Sequence, residues 1–316
     1  MTCDSPHQRG DRSTMWLGCR WIAALTVCGM VGCGGDGDVG NAAAPANLAV
    51  RERIARLAPA ANFAHRGQGP TRGGNPIPEN SLAAFRAAIA QGADGLEMDS
   101  ELTEDGRLIL MHDDTVDRTT ECRGCVSMLS FDTVRRCRLL DGDGQPTDQV
   151  PPTLDEVFQL PPADVLVNVE LKVFSGACRA PGHGPVELAT AMVATLRRLG
   201  VERRTLVQSF DAEALGSLKT QAPDLYTAFL VTGLRPRDVS TAVELHADAI
   251  QPGGPFPFLT LPPATLRAAL DAGLQVIVWT VDDAASMNTL LDNGVNGIIT
   301  DDPALLKDVV RSRRQA

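Results

Sequence analysis

Glu97 and Asp99 stand two residues apart, and Glu170 and Lys172 repeat that spacing just after the apolar run Val165-Leu166-Val167. In an extended chain alternate residues share a face, so each pair projects from one side of its strand. Charged groups aimed into a core are costly unless they are paired or bound to a metal. Carboxylates gathered without Cys or His at zinc spacing suit a hard cation, so Glu97, Asp99 and Glu170 are the candidate ligands of one divalent ion, Ca²⁺ or Mg²⁺. The plainer reading makes Glu97 and Asp99 solvated strand-end charges or partners of nearby arginines, and it loses ground once Glu170 and Lys172 are counted with them. Of the five histidines, His65 and His112 close extended runs, in His65-Arg66-Gly67 and Met111-His112-Asp113. A lone strand-end histidine is more often a hydrogen-bonding residue than a catalyst. A pair flanking a cation site fits cleavage of a phosphodiester, which needs a base for the attacking oxygen and an acid for the leaving alkoxide. Arg66 and Lys172 are the candidates for binding the remaining phosphate charge.

Such a site needs a scaffold that gathers strand ends. Short β-rich runs occur at 62–65, 95–99, 165–172, 205–210, 226–231, 249–251, 275–281 and 297–300, eight in all. Amphipathic stretches such as 81–91, 186–199, 211–221, 263–271 and 283–293 lie between them, several closed by glycine. Strand–helix alternation implies a parallel sheet with right-handed crossovers. Eight units without a GxGxxG after the first strand point to an α/β fold of the closed (β/α)8 TIM-barrel type rather than an open doubly wound sheet. The barrel is expected over 51–316, with one insertion after the second strand, about 113–160, capping the barrel mouth.

With 316 residues, 44% apolar and 22% charged, the chain can bury a large core. A mean hydropathy of -0.04 excludes a polytopic membrane protein. The net charge of -10 and the lack of a basic run exclude nucleic acid as a partner, so an anionic substrate must be held at one local spot. Arg9, Arg12 and Arg20 precede an uncharged run from Trp21 to Gly35, which suits an export signal over 1–33. Met30-Val31-Gly32-Cys33 resembles the lipobox of bacterial lipoproteins; simple secretion is the alternative. A flexible tether is expected over 34–50. Beyond Cys33, the four cysteines Cys122, Cys125, Cys137 and Cys178 are expected to pair as disulfides in an oxidising compartment, with three connectivities open.

A set of motifs carries a resemblance. His65-Arg66-Gly67, Pro78-Glu79-Asn80-Ser81, Glu97-Met98-Asp99, His112-Asp113-Asp114, Arg118-Thr119-Thr120, Pro152-Thr153-Leu154 and Glu170-Leu171-Lys172 follow in order. Gln208-Ser209-Phe210-Asp211, Val278-Trp279-Thr280-Val281 and Gly297-Ile298-Ile299-Thr300-Asp301-Asp302-Pro303 complete it. Together they resemble the glycerophosphodiester phosphodiesterase family over about residues 61–312. The resemblance implies a TIM-barrel hydrolase that cuts glycerophosphodiesters, small-molecule substrates, into glycerol 3-phosphate and an alcohol. It assigns the divalent cation to Glu97, Asp99 and Glu170, the acid–base pair to His65 and His112, phosphate binding to Arg66 and Lys172, and a wall of the glycerol pocket to Trp279. Glu79 and Asn80 resemble a motif that braces the first loop; an ordinary helix start with Asn80 as N-cap is the competing reading. Ser81 stands where the family often has Thr, and the loop 68–76 is long and Gly-rich. The loop Pro255-Phe256-Pro257-Phe258 could shape the leaving-alcohol pocket or be a packed turn.

Two rival functions belong beside this one. A related barrel phospholipase, sphingomyelinase D-like or lysophospholipase D-like, would show an exposed apolar rim. A non-catalytic phosphodiester-binding lipoprotein would lack at least one catalytic side chain, and none is missing. Membrane association is expected only through a lipid on Cys33, with the exported protein periplasmic or at the cell surface.

Overall fold

The structure, a computed structural model, describes residues 44–160, 162–254 and 261–315. Its elements run α1 (Ala46–Arg56), β1 (Ala61–Ala64), α2 (Leu82–Gln91), β2 (Gly95–Leu102), β3 (Leu108–Leu110), α3 (Phe131–Val134), α4 (Leu154–Phe158), β4 (Leu166–Leu171) and α5 (Pro185–Leu199). They continue β5 (Thr205–Ser209), α6 (Ala212–Gln221), β6 (Tyr226–Thr232), α7 (Pro236–Glu244), β7 (Ala249–Gly253), α8 (Pro263–Asp271), β8 (Gln275–Val278), α9 (Ala284–Asp292), β9 (Gly297–Thr300) and α10 (Pro303–Gln315).

The strand order β1-β9-β8-β7-β6-β5-β4-β2 closes on itself through parallel pairing of β1 with β2, which makes an eight-stranded barrel. β3 is a ninth strand, antiparallel to the outer half of β2. The eight strands read from the sequence are the barrel strands, and β3 is the hairpin arm that delivers Met111 and His112. Helices start where side chains accept from orphan amides: Ser81 from Ala84, Asp211 from Ala214, and Thr153 in a reciprocal capping box with Glu156.

Alternation along the strands sorts the side chains. Outward residues such as Leu96, Met98, Val167, Val169 and Val207 pack under α2, α5 and α6. Ile250, Val276, Val278 and Ile298 do the same under the helices of the second half. The lower interior is apolar, filled by Phe63, Leu166, Leu206, Tyr226, Ala228, Ile277 and Ile299. Val50 and Ile54 of α1 belong to this same cluster, so α1 plugs the barrel floor. Asn47 and Arg51 fix it there through Asp224, Asp248 and Gly273, which lie just ahead of β6, β7 and β8.

This corrects one expected boundary: residues 46–50 were assigned to the tether, but they are the first half of a docked helix. The tether reading rests on the Gly-, Asp- and Ala-rich run from residue 34, and it extends too far, because Val50 is buried against the floor. The export signal, Cys33 and the Pro255–Phe258 loop lie outside the described residues.

The insertion is held by two disulfides, Cys122–Cys137 and Cys125–Cys178. The first is internal to the insertion; the second ties it to the loop after β4. That settles which of the three pairings is formed.

Candidate active site

Polar residues replace apolar ones on the inner face at the carboxyl end of the barrel. Parallel pairing of β2 with β4 sets Glu97 opposite Asn168 and Asp99 opposite Glu170. The three acids therefore meet: Glu97, Asp99 and Glu170 each offer an oxygen, and these oxygens lie within 4.8 Å of one another. All three are buried. Their orientation is fixed by neighbours. Asn168 Nδ2 donates to Gln208 Oε1 at 2.8 Å, and Gln208 Nε2 donates to Glu97 Oε1 at 2.9 Å. The Arg66 amide donates to the other Glu97 oxygen at 3.0 Å, and Asn80 Nδ2 to Asp99 Oδ2 at 2.8 Å. Asn80 thus braces the site, while the N-cap of α2 is Ser81.

Two cations face the trio. Lys172 Nζ is 3.1 Å from Glu170 and 3.7 Å from Asp99, and Arg66 Nε is 3.5 Å from Asp99. Burial raises the Glu97 carboxyl to about 7, with the Asp99 charge adding to the effect. Burial likewise pushes Glu170 up to about 8, opposed by Lys172 and reinforced by Asp99 and Glu97. Burial acts on Asp99 too, but Arg66, Lys172 and His112 outweigh it and hold that carboxyl below the usual range. A buried all-oxygen trio with two acids pushed up in this way is suited to a hard divalent cation.

The histidines stand on either side, each backed by a carboxylate. His65 Nδ1 is 2.7 Å from Asp301 Oδ1, and His112 Nδ1 is 2.7 Å from Asp113 Oδ1. With Nδ1 occupied, Nε2 is the ring nitrogen left for chemistry. Burial disfavours the charged His65 ring, yet the Asp301 hydrogen bond and the Glu97 charge more than offset it, and its pKa lies above the ordinary value. Asp113 is held by Arg118, which also grips both oxygens of the buried Glu79 at 2.8 Å. Glu79 in turn accepts from Arg66 at 3.0 Å. The insertion and the first loop are thereby locked together over the site.

Arg66 adopts a left-handed backbone with φ 48°, a conformation costing about 1–2 kcal/mol in a residue with a Cβ. The hydrogen bond from its amide to Glu97 holds it there. Gly67 follows with φ 86°, and a Cβ on it would come within 2.7 Å of Ala84.

Two recesses meet at this point. The inner one, about 130 Å³, is lined by His65, Arg66, Glu97, Asp99, His112, Glu170, Lys172 and Trp279, with Phe210 and Leu230 among its apolar walls. The outer one, about 840 Å³, opens over the start of α9 past Asp282, Asp283 and Ser286, and it shares His65, Arg66 and Trp279 with the first. Trp279 is set by its Nε1 bond to the Gln251 carbonyl at 2.8 Å and an edge contact with Phe210, ring centres 5.7 Å apart.

A family model described as the glycerophosphoryl diester phosphodiesterase family matches residues 65–305. The chain belongs to this family. A glycerophosphodiester phosphodiesterase of Caldanaerobacter subterraneus subsp. tengcongensis is 33% identical over 252 residues, spanning 79% of this chain and 97% of that protein. A solved glycerophosphodiester phosphodiesterase of Parabacteroides distasonis superposes with a TM-score of 0.65 at 25% identity, covering 81% of this chain and all, 100%, of that one. An Oleispira antarctica phosphodiesterase, solved with its product sn-glycerol-3-phosphate, gives a TM-score of 0.68 at 23% identity over 82% of this chain and 99% of its own, a likeness of fold.

In this member of the glycerophosphoryl diester phosphodiesterase family, the candidate cation ligands, the two histidines, Arg66, Lys172 and Trp279 all line the inner recess, while Glu79 and Asn80 stand behind it. Gln208, Asn80, Asp301 and the Glu79–Arg118 pair complete the arrangement without having been given those partners beforehand. Asp113 was adjacent to a candidate histidine and so within reach of sequence reasoning. Arg118 and Glu79 are 39 positions apart, and nothing local signals their contact.

Proposed function

We propose that this protein hydrolyses glycerophosphodiesters to glycerol 3-phosphate and an alcohol, using His65 and His112 as the acid–base pair. The observation that carries this is the convergence of two histidine–carboxylate pairs, two cations and three carboxylates on one recess. When bound by Glu97, Asp99 and Glu170, a divalent cation, Mg²⁺ or Ca²⁺, supplies positive charge to the non-bridging phosphate oxygens. Arg66 and Lys172 hold the rest of the phosphate charge, and Trp279 with Phe210 walls the pocket against water.

The small inner recess suits the constant part of the substrate, glycerol 3-phosphate, and the wide outer groove the variable alcohol. His65 lines both, whereas His112 lines the inner recess alone. This difference supports a reading in which His65 protonates the departing alkoxide and His112 takes the proton of the attacking oxygen. With an activated leaving group such as p-nitrophenol, which needs no protonation, His65→Ala should lose far less rate than it does on an alkyl diester. His112→Ala should lose about 10²–10⁴-fold on both. Equal losses for His65→Ala on both substrates would reverse or remove this assignment.

Among the described residues, Phe210 is the one exposed large hydrophobic side chain that lines the recess. That favours soluble diesters over intact lipids, and comparing turnover of glycerophosphocholine with lysophosphatidylcholine tests it. We also read 1–33 as an export signal, with Cys33 as a lipid acceptor; the two disulfides in the barrel domain agree with an oxidising compartment. Mass spectrometry of the mature N-terminus decides between a lipidated Cys33 and simple secretion.

A further inference from the structure

One buried carboxyl has no part in the scheme above. Glu101 continues the Glu97–Asp99 face of β2, is 5% exposed, and its Oε2 has no hydrogen-bond partner among the described residues. A buried carboxylate oxygen left without a partner is costly, and native structures keep such groups where they are used. Glu101 and Lys172 line one small cavity of about 10 Å³, the room of a single water, beside Ser127 and the Cys125–Cys178 bridge. Lys172 is not bonded to Glu101: its ammonium lies at 3.1 Å from Glu170 and 3.7 Å from Asp99. Those carboxylates are the proposed cation ligands. Lys172 thus occupies the counter-charge position that a divalent cation would claim, and a cation there would repel it.

We propose that Glu101 is a second berth for Lys172, a positioning residue that receives the ammonium when a divalent cation takes over Glu170 and Asp99. Lys172 then exchanges one carboxylate partner for another a short side-chain rotation away, stays charged, and remains at the rim of the recess to meet a phosphate oxygen. Without Glu101, cation binding would strand a largely buried ammonium with no carboxylate partner of its own until an anionic substrate arrived. This inference rests on the cation site described under the proposed function.

The test is a double-mutant cycle read by calorimetric titration of the chelated protein with Mg²⁺ or Ca²⁺ alone. Glu101→Gln keeps the shape and removes the charge. It should weaken cation binding about tenfold when Lys172 is present and less than about twofold in a Lys172→Met background, a coupling within the range measured for contacting pairs. Saturating sn-glycerol 3-phosphate should shrink the first loss, because the phosphate then gives Lys172 its counter-charge. Lys172→Met alone should bind the cation several-fold more tightly, a result that stands even if Glu101→Gln does not fold. Equal losses in both backgrounds, no loss at all, or weaker binding by Lys172→Met would overturn the berth. If the unmodified protein binds neither cation, the cation site itself fails, and the berth with it.

Discussion

Arg118 donates from both terminal nitrogens to the two oxygens of Glu79, each at 2.8 Å, and so joins the insertion to the first loop. Glu79 is 3% exposed. Removing Arg118 leaves Glu79 with Arg66 and the Thr71 amide only. Arg118→Ala is expected to cost about 1–2 kcal/mol, the lower part of the range for a buried charge losing a partner, since Arg118 is itself 39% exposed and screened. Denaturant titration measures it. Burial would raise Glu79, but Arg118 and Arg66 hold its pKa below the ordinary 4.5. Stability from this carboxylate is therefore present above pH 4.5 and lost as pH falls below it. Acid unfolding of Arg118→Ala should begin at a higher pH than in the parent.

Asp301 and Asp113 each lie 2.7 Å from an imidazole Nδ1, and under the proposed mechanism they orient the two rings rather than react. Asp301→Asn and Asp113→Asn should lower kcat by about 10²–10⁴ with little change in KM, because an amide in place of the carboxylate favours the wrong imidazole tautomer. Steady-state kinetics on a glycerophosphodiester separates the two parameters, and a change confined to KM would mean that these carboxylates serve binding instead.

Glu97 and Glu170 titrate above their ordinary 4.5, near 7 and 8. Folded protein without a cation then binds more protons than the unfolded chain between those values, so its stability is full below about pH 4.5 and declines as pH rises toward 8. Chelated protein should show a falling Tm between pH 5 and 8, and Mg²⁺ or Ca²⁺ should raise Tm most at the upper end. A Tm independent of pH and of both ions would argue against the trio as a cation site.

The bridges close loops of unequal length, 15 and 53 residues in separation. Chain-entropy arguments give about 3 kcal/mol for the shorter and about 4 kcal/mol for the longer as upper values. The Cys125→Ser/Cys178→Ser variant should thus lose more stability than Cys122→Ser/Cys137→Ser, by guanidinium titration of each.

Much of this architecture was legible because period-two spacing and strand–helix alternation are local signals. Glu97 with Asp99, and Glu170 with Lys172, could each be assigned to one face of its own strand from spacing, and the closed barrel from counting units. The partners that orient them were not legible, since Gln208 to Glu97, Asn80 to Asp99 and Asp301 to His65 depend on strand register and barrel closure. The α1 boundary differs for a related reason: Ala46, Leu48 and Ala49 favour a helix only weakly in so short a stretch, and the helix is secured by Val50 and Ile54 covering a floor built from distant strands.

That cork has a practical side. A shortened chain beginning at the first strand would keep every residue that lines the inner recess, yet it would expose the undersides of Phe63 and Tyr226 to water and leave Asp248 without Asn47 and Arg51. The leader can be trimmed for production only as far as the residue before the helix; cutting deeper would drain the barrel from below while its catalytic end stayed chemically whole.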